Sequence, residues 1–324
     1  MLRLPQFPPY MQKAADRQKG QNCFIELLIF FLVYLVCSTA MSFITIAGVV
    51  GVFLTDKNLF LEFTTADSIQ QTERLMNSLM ESNSLMLIML FSDAVMIVLV
   101  ILFCVILQKR TVASMGFIRA KALKHYLKGA GIGFLLFGAA TLLNVLTGSL
   151  SIRGISGSFS PILFILFALA FGIQGMAEEV LCRGYFMVSV GRRYPVVIAI
   201  LLNSLVFSLL HLLNPGVSLI AVINIMLIGI FFSVYFLRTG NIWGVGAIHS
   251  IWNFMQGNVF GMEVSGMKMS CSFFSSVSDP SKSFWNGGSF GAEGGFSVTV
   301  VLIVALLLLL LIPKKTICNE FQGA

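Results

Sequence analysis

Apolar residues gather along this chain into about eight long runs, and the short segments between them hold nearly all of the charge. The runs cover 24–54, 84–108, 127–147, 165–190, 195–213, 216–237, 242–260 and 297–312. Several exceed the roughly 18–20 residues that a helix needs to cross a bilayer. The first follows a basic N-terminal segment and is too long for a signal-peptide core, so it reads as an anchor and a span. The last is a short Leu/Ile/Val run closed by Pro313-Lys314-Lys315. There is no internal repeat and no stretch that reads as a soluble domain. The pattern predicts an all-α polytopic membrane protein of about eight transmembrane helices.

Composition agrees with the pattern. Hydrophobic residues make up 57% of the chain and charged residues 11%, too unequal a balance for a soluble core to absorb. The net charge of +7 does not call for nucleic acid, because the basic residues sit in the short connections where positive-inside bias puts them. Lys13, Arg17 and Lys19 precede the first span, and Lys109, Arg110, Arg119, Lys121, Lys124 and Lys128 follow the second. Arg192-Arg193, Arg238 and Lys314-Lys315 continue the alternation, whereas the 55–83 connection is acidic. Both termini are therefore expected in the cytoplasm of a bacterial plasma membrane, with the Gly/Ser-rich 261–296 loop outside. Membrane lipid is the expected surrounding. The six cysteines show no paired spacing and read as apolar fillers, not as a disulfide framework. The closing Glu-Phe-Gln-Gly-Ala is no prenylation box.

Against this background a few polar residues at membrane depth stand out. A charge at the centre of a span costs about 2.5–3.5 kcal/mol even on lenient insertion scales. Glu178-Glu179 lie within one apolar run, four residues from Arg183 on the Glu179 side. On a helix Glu179 shares a face with Arg183, and Glu178, about 100° away, has no local counter-charge. Two of the three histidines are also intramembrane: His211, after Phe207, and His249, four residues before Asn253. The third, His125, falls in a basic connection and is expected to be solvated. Asp93 reads as a bond within the bundle, and Asn203 and Asn224 as interhelical glue.

The residue types suit water activation in a polar cavity within the membrane. A carboxylate without a counter-charge can act as general base, and a histidine opposite it can share the water. A histidine and an amide on one helical face can receive an oxyanion. Glu178, His211 and His249 can also be read as a zinc shell, although no His-Glu-x-x-His spacing supports it. Along their helices Glu178 stands about 21 Å and His211 about 24 Å from the Arg192-Arg193 hairpin, so the two are level. His249 stands only about 12 Å in from Asn241, so its helix needs a displaced start or a tilt.

Glu178-Glu179-x-x-x-Arg183, Phe207-x-x-x-His211 and His249-x-x-x-Asn253, in this order, resemble the three motifs of the CAAX protease and bacteriocin-processing (CPBP, or Abi) family of intramembrane proteases. The likeness covers roughly 111–260, including the approach from Phe236 to Trp243. It divides the chain into 1–110 with two extra spans, a core at 111–260, and 261–324 with the loop and the last span. The resemblance implies that Glu178 activates water with help from His211, and that His249 and Asn253 form the oxyanion site or complete a metal shell. Glu179 and Arg183 would support the first motif. It implies an endopeptidase acting on a membrane-associated, prenylated or bacteriocin-type peptide, either through zinc or as a metal-independent glutamate protease. A non-catalytic scaffold or bacteriocin self-immunity protein of the same fold is the alternative. A proton-coupled transporter would carry repeats and charged spans in both halves, which this chain does not.

Overall fold

The computed structural model describes residues 6–17 and 19–311. Arg3, Pro313-Lys314-Lys315, Cys318 and the closing Glu320–Ala324 lie outside the described residues. The chain is helical almost throughout, and an apolar helix lies on each of the eight runs. Five of these helices are long and apolar enough to cross a membrane by length and composition.

A short helix α1 (Pro9–Arg17) precedes α2 (Cys23–Thr55), which Asn22 caps through its side chain. The acidic connection holds α3 (Lys57–Thr64) and α4 (Ile69–Met80), capped by Asp56 and Ser68. Span α5 (Asn83–Leu102) passes into a π turn, Phe103–Leu107. Then come α6 (Ala122–Leu146) and α7 (Pro161–Glu179), which starts with Ser160 as cap and Pro161 as first residue. Beyond Glu179 the helix widens into π geometry over Val180–Met187 and closes as α8 (Val188–Gly191). The remaining helices are α9 (Val196–Leu209), α10 (Leu219–Thr239), α11 (Ile242–Phe254) with π turns to Val259, α12 (Ser283–Asn286) and α13 (Phe296–Leu311).

Helix α11 is the axis of the bundle, held between α6 and α7. Small residues let the backbones approach. A Cβ on Gly175 would stand 2.6 Å from the Ser250 amide, and one on Gly133 would stand 2.6 Å from the Ile248 carbonyl. Close small-residue contacts of this kind replace the hydrophobic driving force that lipid removes.

The connections sort onto two faces as the charges predict. Gly20 packs on Ser189 and Arg192, Gly240 on Tyr10, and the Ile242 amide bonds the Gly116 carbonyl, so the basic connections share one face. There Glu26 at the start of α2 pairs with Arg192 at 3.3 Å, both buried. On the other face β1 (Leu150–Ile155) pairs antiparallel with β2 (Phe274–Ser278), and Ser270 bonds Asn83 at 2.7 Å.

Three expectations change. The 261–296 loop is not a free external segment: Met262, Val264, Met269, Cys271, Phe290 and Glu293 are buried. Asn224 pins it from α10, donating to the carbonyls of Glu293 and Gly295 at 2.7 and 2.8 Å. The fifth run is helical only to Leu209, so His211 lies in the turn that follows. His125 is buried at 4% exposure instead of solvated, because α6 turns it inward where α10 and α11 pack. A basic neighbourhood in sequence says nothing about which way a helix faces.

Candidate active site

The site grows from the junction where α7 passes into its π segment. Within α7 the i, i+4 spacing brings Gln174 to Glu178, and its amide donates to Glu178 Oε1 at 2.6 Å. One residue on, Glu179 is rotated about 100° away and accepts from Arg183 Nη1 at 2.7 Å, both side chains fully buried. The guanidinium lies against the Phe207 and Phe232 rings, 4.4 and 5.3 Å from their centroids, and donates to the Gly229 carbonyl. Arg183 is thus held through Nη1 and Nη2 and by the two rings.

His249 links the two glutamates. Its Nδ1 stands 3.0 Å from Glu179 Oε1, and its Nε2 stands 3.8 Å from Glu178 Oε2. An ionised Glu179 can only accept, so the proton of this bond belongs to Nδ1, and Nε2 is left to face Glu178 and the cavity. Glu178 Oε2 and the Asn253 carbonyl oxygen are buried without a hydrogen-bond partner among the described residues. Buried polar atoms left open in this way call for an occupant. The Asn253 amide reaches Gln174 Oε1 at 2.9 Å, so Glu178, Gln174 and Asn253 form one ordered chain of donors and acceptors.

His211 approaches from the α9–α10 turn. Its Nδ1 bonds the Phe207 carbonyl at 2.8 Å, which leaves Nε2 as the ring's second site. The Phe207 ring stands between the two imidazoles, 5.0 Å from His211 and 6.1 Å from His249. Glu178, His211, His249 and Asn253 all line one cavity of about 340 Å³. The start of α11 is displaced, as its height requires. Asn241 and Ile242 are bound to Ile118 and Gly116, beside Gly184 in the π segment and well inside the Arg192-Arg193 hairpin. Counted from that level, His249 meets Glu178 and Glu179.

Three further residues join the site. Gln174 went unremarked in the sequence, although its spacing to Glu178 was the signal. Asp93, expected to bond within the bundle, forms no hydrogen bond among the described residues and faces the cavity from α5. Glu293, from the folded loop, also lines the cavity and accepts from the Ser265 amide and hydroxyl at 3.1 and 2.7 Å. Nothing near it in the chain pointed there.

The donors do not fit a zinc shell as they stand. Among the described residues no three His, Cys, Asp or Glu side chains come together as a metal-holding group. Each histidine has Nδ1 bonded, to Glu179 and to Phe207, and keeps Nε2 uncommitted. The side chains themselves supply a carboxylate and two oriented imidazoles.

Residues 158–255 match the family model described as Rce1-like, type II CAAX prenyl endopeptidase Rce1-like. The matched segment runs from just before α7 to the end of α11 and contains all seven motif residues. No curated protein and no solved structure matches the chain.

Proposed function

We propose that this chain, which belongs to the CAAX-protease (CPBP) family through its residues 158–255, is an intramembrane endopeptidase in which Glu178 activates water. The observation that carries this reading is the open Glu178 Oε2, 3.8 Å from a His249 Nε2 whose ring Glu179 holds from behind. Glu179 differs in that its Oε1 is held by both Arg183 Nη1 and His249 Nδ1, whereas Glu178 is bonded only by the neutral Gln174 amide.

The reaction needs a water in the cavity beside Glu178. His211, with Nδ1–H committed to the Phe207 carbonyl, presents the Nε2 lone pair and accepts one hydrogen of that water, which orients it. Glu178 takes the other proton as the water oxygen bonds to the scissile carbonyl carbon. The carbonyl oxygen becomes an oxyanion and is received by the His249 Nε2–H of a doubly protonated ring and by the second N–H of Asn253. Collapse breaks the C–N bond, and the proton on Glu178 passes to the leaving amine. Glu178 returns ionised, and no proton is left over. Glu179 and Arg183 touch neither water nor peptide; they keep His249 oriented. The substrate is a membrane-associated peptide, since the cavity is enclosed by apolar helices.

The test is cleavage of membrane-associated peptides by the purified protein, with and without a chelator. Cleavage is expected to survive the chelator and to vanish in Glu178→Gln at equal protein level. Wild-type cleavage by Glu178→Gln would overturn the assignment. Loss on chelation would move the reaction to a metal whose ligands must rearrange from the positions described.

A further inference from the structure

The proposed active site is open toward one face of the bundle only. Between Glu178 and the basic face the protein is solid. Every residue from Glu179 to Val190 is buried, as is every residue from Phe231 to Ile242. Below them Arg110 closes the packing, donating to the carbonyls of Gly184 and Tyr185 at 2.8 and 3.2 Å.

The cavity lies on the other side of that plug and touches it only along its inner edge, at Phe232 and, through an adjoining pocket, at Leu181 and Cys182. On α5 it is lined by Met86 to Asp93, in the half remote from the basic connection. On α2 it is lined by Ser38 to Thr45, in the half that leads to the acidic connection. Val264, Ser265, Met267 and Glu293 of the folded loop complete it, and no residue of a basic connection lines it. Ser42 is exposed, and His211 and Asn214 are half-buried, so the rim lies between α2 and the α9–α10 turn.

Charge then assigns a compartment. The basic face carries Lys13, Lys19, the run from Lys109 to Lys128, Arg192-Arg193 and Arg238, whereas the other face carries five Lys and Arg, at 57, 74, 153, 268 and 282. The Lys/Arg excess in short connections marks the cytoplasmic side. We infer that the cavity takes its substrate from the non-cytoplasmic side, so that the substrate class is a secreted or membrane-anchored peptide whose cleavage site lies in the outer half of the bilayer. A prenylated chain end arriving from the cytoplasm meets the closed face. The inference concerns the same site as the endopeptidase reading and rests on that reading for its substrate.

The experiment uses full-length chains carrying one cysteine each, at Lys121, Asp279 or Asn214, with the native cysteines replaced, in intact bacterial cells. A membrane-impermeant maleimide is expected to label Asp279→Cys and the rim variant Asn214→Cys from outside, and Lys121→Cys only after permeabilisation. The wild-type protein in right-side-out vesicles is expected to cleave an added peptide that inside-out vesicles leave intact, with both active once detergent is added. Labelling of Lys121→Cys in intact cells, or cleavage by inside-out vesicles alone, overturns the inference. Absence of cleavage in detergent would instead sink the endopeptidase reading, and the labelling pattern would still decide the side.

Discussion

Among the polar islands that interrupt the apolar bundle, those at Arg110 and Glu178 are built on opposite terms. The one at Arg110 is saturated. Its guanidinium donates to Gln108, Ser114 and Ser189 side chains and to the Gly184 and Tyr185 carbonyls, with every partner neutral. It staples the α5–α6 connection to the π segment. The island at Glu178 is deliberately incomplete by comparison: one bond to Gln174, an open Oε2, and an imidazole held 3.8 Å away. Burial alone does not distinguish them, and neither does charge. What differs is that the Arg110 guanidinium has used up its hydrogen-bonding capacity and the Glu178 carboxylate has not.

The largest effect should come from filling the open position with a group that cannot take a proton. Glu178→Gln keeps the shape and can still bond Gln174, so cleavage should fall by about 10²–10⁴-fold, the usual span of general acid–base catalysis. Thermal unfolding in detergent should move little, or upward, since an uncompensated carboxylate has been removed. A parallel loss of stability and activity would show that the incompleteness is only apparent.

Next comes the pair behind His249. Arg183→Met leaves Glu179 buried without its cation and should cost about 3–5 kcal/mol of stability. The double variant Glu179→Gln/Arg183→Met should regain most of that loss in an unfolding measurement. It should not regain cleavage, because the charged partner of His249 Nδ1 is gone. Recovery of both together would make His249 independent of Glu179 and contradict the geometry.

The saturated island should behave in the opposite way. Arg110→Met strands several neutral acceptors and should destabilise by about 1.5–3 kcal/mol, the range for hydrogen bonds to a charged group. Cleavage per folded molecule, measured at a temperature where the variant remains folded, should equal that of the wild type. A selective loss of turnover would mean that the basic face is coupled to the site.

How much of this was legible in the chain follows the same division. The eight helices were legible because hydropathy reports burial in lipid directly. The Glu179–Arg183 pair and the separateness of Glu178 were legible because i, i+4 geometry is local. The level of His249 was not, because it depends on where Asn241 docks, against Gly116, a contact between residues far apart in sequence. The π segment after Glu179 breaks the uniform rise assumed for the hairpin, and it carries no propensity signal. Glu293 was invisible for a further reason. A Gly/Ser-rich segment reads as a loop, and nothing local says that Asn224 will fold it back over the cavity.

The smallest effect is expected at Gln174, which belongs to neither island's charge and yet orders one of them. It donates to Glu178 Oε1 and accepts from Asn253, so it sets the angle of the base and of the amide that faces the oxyanion. Gln174→Leu removes both bonds while keeping the volume. Loss of about 1.4 kcal/mol of positioning would lower turnover roughly tenfold. Because Gln174 acts through Glu178, the change should appear in kcat and leave KM near the wild-type value. The sharper measurement is the cycle with Glu178→Gln. If Gln174 works by orienting the carboxylate, its substitution should add nothing once the carboxylate is gone, and the two effects will be strongly non-additive. Full additivity would assign Gln174 to packing, and the unsaturated island would then be organised by His249 alone.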